Sequence, residues 1–143
     1  MENLHATTVD LSGAGILIIG DSASGKSDLA LRLIENKGAL LVCDDQTILQ
    51  ADGKNLIASC PQNIQGLIEV RGIGIIKTAY TAQTTVKLAV IAQKNPPRYP
   101  DKTFFENQGI CLPSIFLNLL EASAPDKVVV KLKTILEEQS QKP

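Results

Sequence analysis

The strongest constraint on this chain is the octet Gly20-Asp21-Ser22-Ala23-Ser24-Gly25-Lys26-Ser27, which matches G-x-x-x-x-G-K-[ST] at every fixed position. It follows the β-branched run Gly15-Ile16-Leu17-Ile18-Ile19 and precedes Leu29, Leu33 and Ile34 at helical spacing. The run reads as a buried strand, the spacing predicts a helix over Lys26 to Lys37, and Gly38 takes the place of a C-cap glycine. Strand, glycine-bounded turn and helix in that order aim backbone N–H groups and the positive end of a helix at one point, which suits a phosphate. In such a loop the lysine reaches the β and γ oxygens of a nucleotide and the final hydroxyl ligates Mg²⁺. Gly20, Asp21, Ser22, Ala23, Ser24, Gly25, Lys26 and Ser27 are therefore candidate ATP contacts.

The rest of the chain reads as an α/β fold with a mixed sheet. Ala39 to Cys43 is a second core strand that stops at Asp44-Asp45. Thr47 to Leu49 and Leu56 to Ala58 flank the turn Ala51-Asp52-Gly53-Lys54 as a β-hairpin. Further strands are predicted at Leu67 to Val70, Ile73 to Lys77 and Thr85 to Ala92. The polar stretch Gln93 to Gln108, with Pro96, Pro97 and Pro100, reads as a loop and a candidate lid. Ser123, Pro125 and the stripe Val128, Leu132, Ile135 and Leu136 predict a closing helix, with fraying after Gln139. With 143 residues, 1–143 is expected to be a single P-loop domain.

Composition excludes several classes. A formal charge of −1 gives no basic face for nucleic acid, and aromatics at 3% without Trp give no base-stacking platform. Apolar runs such as Ile16–Ile19 stop far short of the roughly 20 residues that span a bilayer. Met1 to Asp10 lacks the basic and apolar regions of a secretory signal, so a cytoplasmic location is expected. Cys43, Cys60 and Cys111 are widely spaced and are expected to be reduced and structural. His5 is the single histidine, which excludes sites needing two imidazoles.

Acids at a strand end are site candidates. Asp44 and Asp45 would lie beside the P-loop in a parallel sheet, outside the carboxyl ends of the strands. Side chains adjacent in an extended segment point to opposite sides, which predicts divided labour: one acid holding Mg²⁺ through water, the other taking a proton from an attacking hydroxyl. The bland reading is a solvated turn before the hairpin. Glu69 and Arg71 are two apart on one face of a predicted strand, and on composition alone a cross-strand ion pair is the better account of them. A lone histidine near a terminus, such as His5, is ordinarily just exposed.

Taken together these residues resemble the HPr kinase/phosphorylases, which phosphorylate a serine of the phosphocarrier HPr in bacterial sugar and nitrogen phosphotransferase systems. The resemblance runs from His5 through a short strand to the P-loop, through Asp44-Asp45, and to Ile68-Glu69-Val70-Arg71-Gly72-Ile73-Gly74-Ile75-Ile76, similar to the family's Leu-Glu-Ile-Arg-Gly-x-Gly-Ile-Ile. It implies that the P-loop with Lys26 holds ATP and that Ser27 and Glu69, with Asp44 as a third candidate, serve Mg²⁺. It further implies that Asp45 accepts the proton of the target serine, that His5 lies near the transferred phosphoryl group, and that Arg71 and Gly72 belong to the site. An HPr-type partner, a homo-oligomer, and a reverse reaction in which phosphate attacks phosphoserine and pyrophosphate leaves also follow from it. Gln46 stands where the family has an arginine, and one extra residue separates Lys26 from the acids. Leu112 to Lys133 carries no counterpart of the late Pro-Gly-Arg-Asn stretch, so the resemblance is to the short α-proteobacterial form without the separate N-terminal domain.

Two other readings compete. A small-molecule P-loop kinase brings several arginines to a lid, and only Arg32, Arg71 and Arg98 exist here. A nucleotide-dependent sensor would bind ATP without transferring phosphate, and would be indifferent to loss of Asp45.

Overall fold

The computed structural model describes residues 1–140. The apolar Ala14–Ile19 forms strand β3, buried along most of its length, and Lys26–Lys37 forms helix α1, closed by Gly38 at φ 75°. Two strands precede these, β1 (Glu2–Leu4) and β2 (Ala6–Leu11). After α1 come β4 (Leu40–Cys43), the hairpin β5 (Thr47–Asp52) and β6 (Asn55–Ser59), and the short arm β7 (Leu67–Val70) and β8 (Gly74–Lys77). The chain then forms β9 (Gln83–Ala92), β10 (Thr103–Asn107), β11 (Ile110–Leu117) and helix α2 (Ala124–Ser140).

The sheet is mixed and curled around β9. The start of β9, Gln83 to Thr85, pairs antiparallel with β6, while its remainder runs parallel to β3 on one side and β11 on the other. Beyond β3 lie β2, antiparallel, and then β4. Side chains alternate across a strand, so β3 feeds two cores. Ile16 and Ile18 pack with Leu29 and Leu33 of α1 and Val128, Leu132 and Ile135 of α2. Leu17 faces the other way, into Val42, Leu49, Leu56 and Val86.

Three sequence expectations change. Within the supposed loop 93–108, Phe105 has Ile110 and Leu112 of the next hairpin strand nearby to pack with, and β10 forms there. The β5–β6 turn falls on Gly53-Lys54, since Asp52 pairs with Asn55. Cys43 and Cys60 are disulfide-bonded, with Cα atoms 5.0 Å apart, leaving Cys111 as an exposed free thiol. Curling brings the ends of β4 and β6 together, which the 17-residue spacing does not reveal. Ser140 remains helical, and the rest of the expected frayed tail, 141–143, lies outside the described residues. Among the described residues no helix is long and apolar enough to cross a membrane.

Leu33 is fully buried where α1 meets the sheet. Leu33→Ala should lower stability by about 2–5 kcal/mol, read as a reduced urea midpoint with an unchanged denaturant slope.

Candidate active site

The P-loop turns tightly between β3 and α1. Ala23 (φ 68°) and Gly25 (φ 102°) are left-handed, and no side chain caps the start of α1. The first four N–H groups of a helix have no partner within it, so Gly25, Lys26, Ser27 and Asp28 present donors and positive potential to the loop interior. Gly20 permits the loop to close, because a Cβ there would lie 2.5 Å from Ser24 Oγ and 2.7 Å from Ala92 Cβ. Lys26 is only 5% exposed, and its Nζ donates to the carbonyls of Gly20 (2.8 Å) and Asp21 (3.2 Å). Its charge is thereby held at the mouth of the cradle.

The acids reach this cradle by a route different from the one expected. β4 is not the neighbour of β3; the antiparallel β2 lies between them, with its N-terminal end beside the C-terminal ends of both. Asp44 bridges that gap. Its Oδ1 accepts from Ser27 Oγ (2.6 Å) and Thr7 Oγ1 (2.9 Å), and its Oδ2 accepts from the Glu69 N–H (3.0 Å). Asp45 is not extended but left-handed at φ 67°. The expected extended geometry of the pair therefore does not hold: Asp45 lines the cavity beside Lys26, while Asp44 is tied in behind it.

Asp45 Oδ1 lies 3.3 Å from Lys26 Nζ and 3.3 Å from His5 Nε2. Neither contact has hydrogen-bond alignment, so this buried oxygen is ion-paired yet accepts no aligned hydrogen bond. Ser24 Oγ, inside the loop, is the other buried side-chain oxygen without a partner among the described residues. Both are suited to a polar ligand. Ser27 gives its only proton to Asp44, which leaves its lone pairs for a cation.

A cavity of about 400 Å³ opens over these groups, lined by Ser22, Lys26, Ser27, Asp45, Glu69 and Arg71 together with Leu31 and Leu120. Glu69 and Arg71 line it together and neither forms an ion pair among the described residues, so the expected cross-strand salt bridge is not formed. Gly72 (φ 87°) instead makes the turn into β8. Asp44 lies behind the cavity wall, bonded to it through Ser27 and Glu69. Among the described residues no three His, Cys, Asp or Glu side chains converge, so a divalent cation here would draw on hydroxyl, carboxylate and phosphate oxygens, as Mg²⁺ does. The proline segment borders a separate basic cleft with Lys94, Arg98, Lys127 and Lys131, not the cradle.

Comparison with known proteins gives the same result from sequence and from fold. The family model described as HPr Serine kinase C-terminal domain matches residues 1–92. The chain belongs to this family. It is 46% identical to the HPr kinase/phosphorylase of Limosilactobacillus reuteri (strain DSM 20016) over 76 residues, 52% of this chain and 23% of that protein. Identity to the HPr kinase/phosphorylase of Lacticaseibacillus casei (strain BL23) is 36% over 110 residues, 71% of this chain and 33% of that one. The chain thus spans about a quarter to a third of the curated relatives it matches. The solved structure of the Hpr(Ser) kinase/phosphatase from Coxiella burnetii superposes with a TM-score of 0.85 at 29% identity, covering 98% of this chain and 99% of that one.

The fold brings His5, the P-loop, Asp44, Asp45, Glu69 and Arg71, which the sequence singles out, to one place. The sequence signals miss Thr7, because a threonine in a strand is unremarkable until its hydroxyl is seen between two acids. Also missed is the segment after β11, where the Leu120 side chain walls the cavity beside Gly25. Gly25→Ala should cost about 1–2 kcal/mol from the left-handed backbone. The Cβ clash, 2.7 Å from Leu120 Cδ2, involves the end of a side chain that can swing away. Thermal denaturation of Gly25→Ala with and without Leu120→Ala should therefore show no rescue by the second change.

Proposed function

We propose that the chain is an ATP-dependent protein kinase domain that transfers the γ-phosphoryl group to a serine of an HPr-type phosphocarrier protein, a cytoplasmic control on a bacterial phosphotransferase system. Family membership supports the class of reaction, and one observation carries the assignment of roles. Asp45 Oδ1 is buried, without an aligned hydrogen bond, and 3.3 Å from the lysine of the phosphate cradle. A carboxylate in that position is where a proton acceptor for a hydroxyl attacking the terminal phosphate would sit.

In the forward reaction the serine oxygen bonds to the γ phosphorus, the bond to ADP breaks, and Asp45 takes the hydroxyl proton. Lys26 and the N–H groups of the loop hold the charge on the phosphates, since phosphoryl transfer is largely alignment and charge neutralisation. Ser27 and Asp44, with the Glu69 carboxylate, would hold Mg²⁺, which supplies charge neutralisation when bound. His5, 3.3 Å from the same Asp45 oxygen as Lys26, orients that carboxylate, and Arg71 lines the cavity that the incoming partner would enter. In the phosphorolytic direction a phosphate oxygen bonds to the phosphorus of phosphoserine, the bond from that phosphorus to the serine oxygen breaks, Asp45 gives its proton to the serine oxygen, and pyrophosphate is the product.

The test is transfer of label from γ-labelled ATP with Mg²⁺ to a purified HPr-type protein. Asp45→Asn should keep ATP affinity and lose about 10²–10⁴-fold in turnover, the usual worth of a general base. Lys26→Ala should lose both. ATP binding that depends on Lys26 with no label reaching any serine would overturn the kinase reading and leave a nucleotide sensor.

A further inference from the structure

Thr7 is fully buried at the start of β2 and lies outside the phosphate cradle. A hydroxyl has one proton to give and lone pairs to receive, and here both are used on the site. The proton goes to Asp44 Oδ1 at 2.9 Å, and the Asp45 N–H donates back to Thr7 Oγ1 at 3.2 Å. The two acids come from one strand end, yet a single side chain from the intervening strand fixes both. We propose that Thr7 is a positioning residue that sets Asp44 for the cation and Asp45 for the proton at the same time; this rests on the kinase reading above.

Two physical consequences follow from removing the hydroxyl. Asp44 loses one of its three donors and is held only by Ser27 and the Glu69 N–H. Ser27 is itself one of the groups assigned to the cation, so the carboxylate then lacks an anchor independent of the nucleotide site. Asp45 loses the acceptor of its N–H at the residue whose left-handed φ of 67° turns the carboxylate toward Lys26. Without that bond the chain can relax toward the extended form, in which the Asp45 side chain would swing away from the cradle.

Thr8 provides an internal control. It is the neighbouring, equally buried threonine, and its hydroxyl meets Thr47 Oγ1 at 2.8 Å. Thr47 gives its own proton to the Ala6 carbonyl (2.8 Å), so Thr8 is the donor, and neither acid is involved. Thr8→Val therefore removes a buried hydroxyl from the same strand without touching the site.

The experiment compares Thr7→Val, Thr7→Ser and Thr8→Val with wild type, each verified as folded by its denaturation midpoint. The readouts are kcat and KM for label transfer and the Mg²⁺ dependence of binding of a fluorescent N-methylanthraniloyl ATP. Outer residues that orient ligands are commonly worth about 10–100-fold. Thr7→Val should lower kcat by that factor with little change in KM for the phosphocarrier, and should raise the Mg²⁺ concentration for half-maximal binding about 10-fold. Thr7→Ser should restore both to within about threefold, and Thr8→Val should leave both near wild type. If Thr7→Val is folded and both readouts match those of Thr8→Val, Thr7 is only a structural threonine. Should wild type transfer no label, the kinase reading fails on its own, and an unchanged Mg²⁺ dependence in Thr7→Val would then overturn the positioning role separately.

Discussion

The site depends on the carboxylate of Asp44. Its two oxygens accept from the first turn of α1 through Ser27, from β2 through Thr7, and from β7 through the Glu69 N–H. Three elements far apart in sequence are tied to one ion, and each tie is a charge-assisted hydrogen bond, stronger than a neutral one. A carboxylate that accepts several donors is held in place, so the cradle, the acid pair and the β7–β8 arm keep one arrangement. Replacing it with a neutral isostere would alter all three junctions together.

Strand order explains why such a tie is needed. The phosphate loop leaves β3 and the acids leave β4, but β2 separates the two strands and runs the other way. The acids must therefore reach across a strand width. Asp45 does so through a left-handed backbone, a conformation that Asp tolerates better than most residues but that still carries strain. Its ion pair with Lys26 and its contact with His5 lie on the side toward which that strain turns it.

Much of this was readable in the residues, and the exceptions have definite causes. The P-loop, α1 with Gly38, β4, the β5–β6 hairpin and β7 to β9 all carry local signals: short apolar runs, helical spacing, Asp-Gly and glycine punctuation. β1, β2 and β10 were not read. β1 is a strand only through its pairing with the distant β5. Ala6–Leu11 and Thr103–Asn107 are first strands of tight hairpins, closed by Leu11↔Ala14 and Asn107↔Ile110, with too little apolar alternation of their own to stand out. The acids were recognised as a pair, but extended geometry was assumed for them, and no sequence pattern announces a positive φ at an aspartate. The link between Cys43 and Cys60 was hidden for the same reason, since only the curl of the sheet brings them together. The residues that chemistry requires were thus visible, while those that hold them in place were visible only once the strands were ordered.

Arg32 gives the cavity a mechanical property. It lies on α1 two turns from the P-loop and donates to the carbonyls of Leu119 and Glu121, while its Nε donates to Asp28. Those carbonyls belong to the segment whose Leu120 side chain walls the cavity. The floor and this wall are therefore tied to one helix through the Arg32 guanidinium. The opposite wall, Glu69 to Arg71, is on a two-stranded arm that shows Ile73 and Ile75 to solvent. That arm is pinned at its base, where Ile68 is buried in the core shared with Leu29 and Leu33 and the Glu69 N–H is held by Asp44, so only the tip beyond Arg71 stands clear of the core.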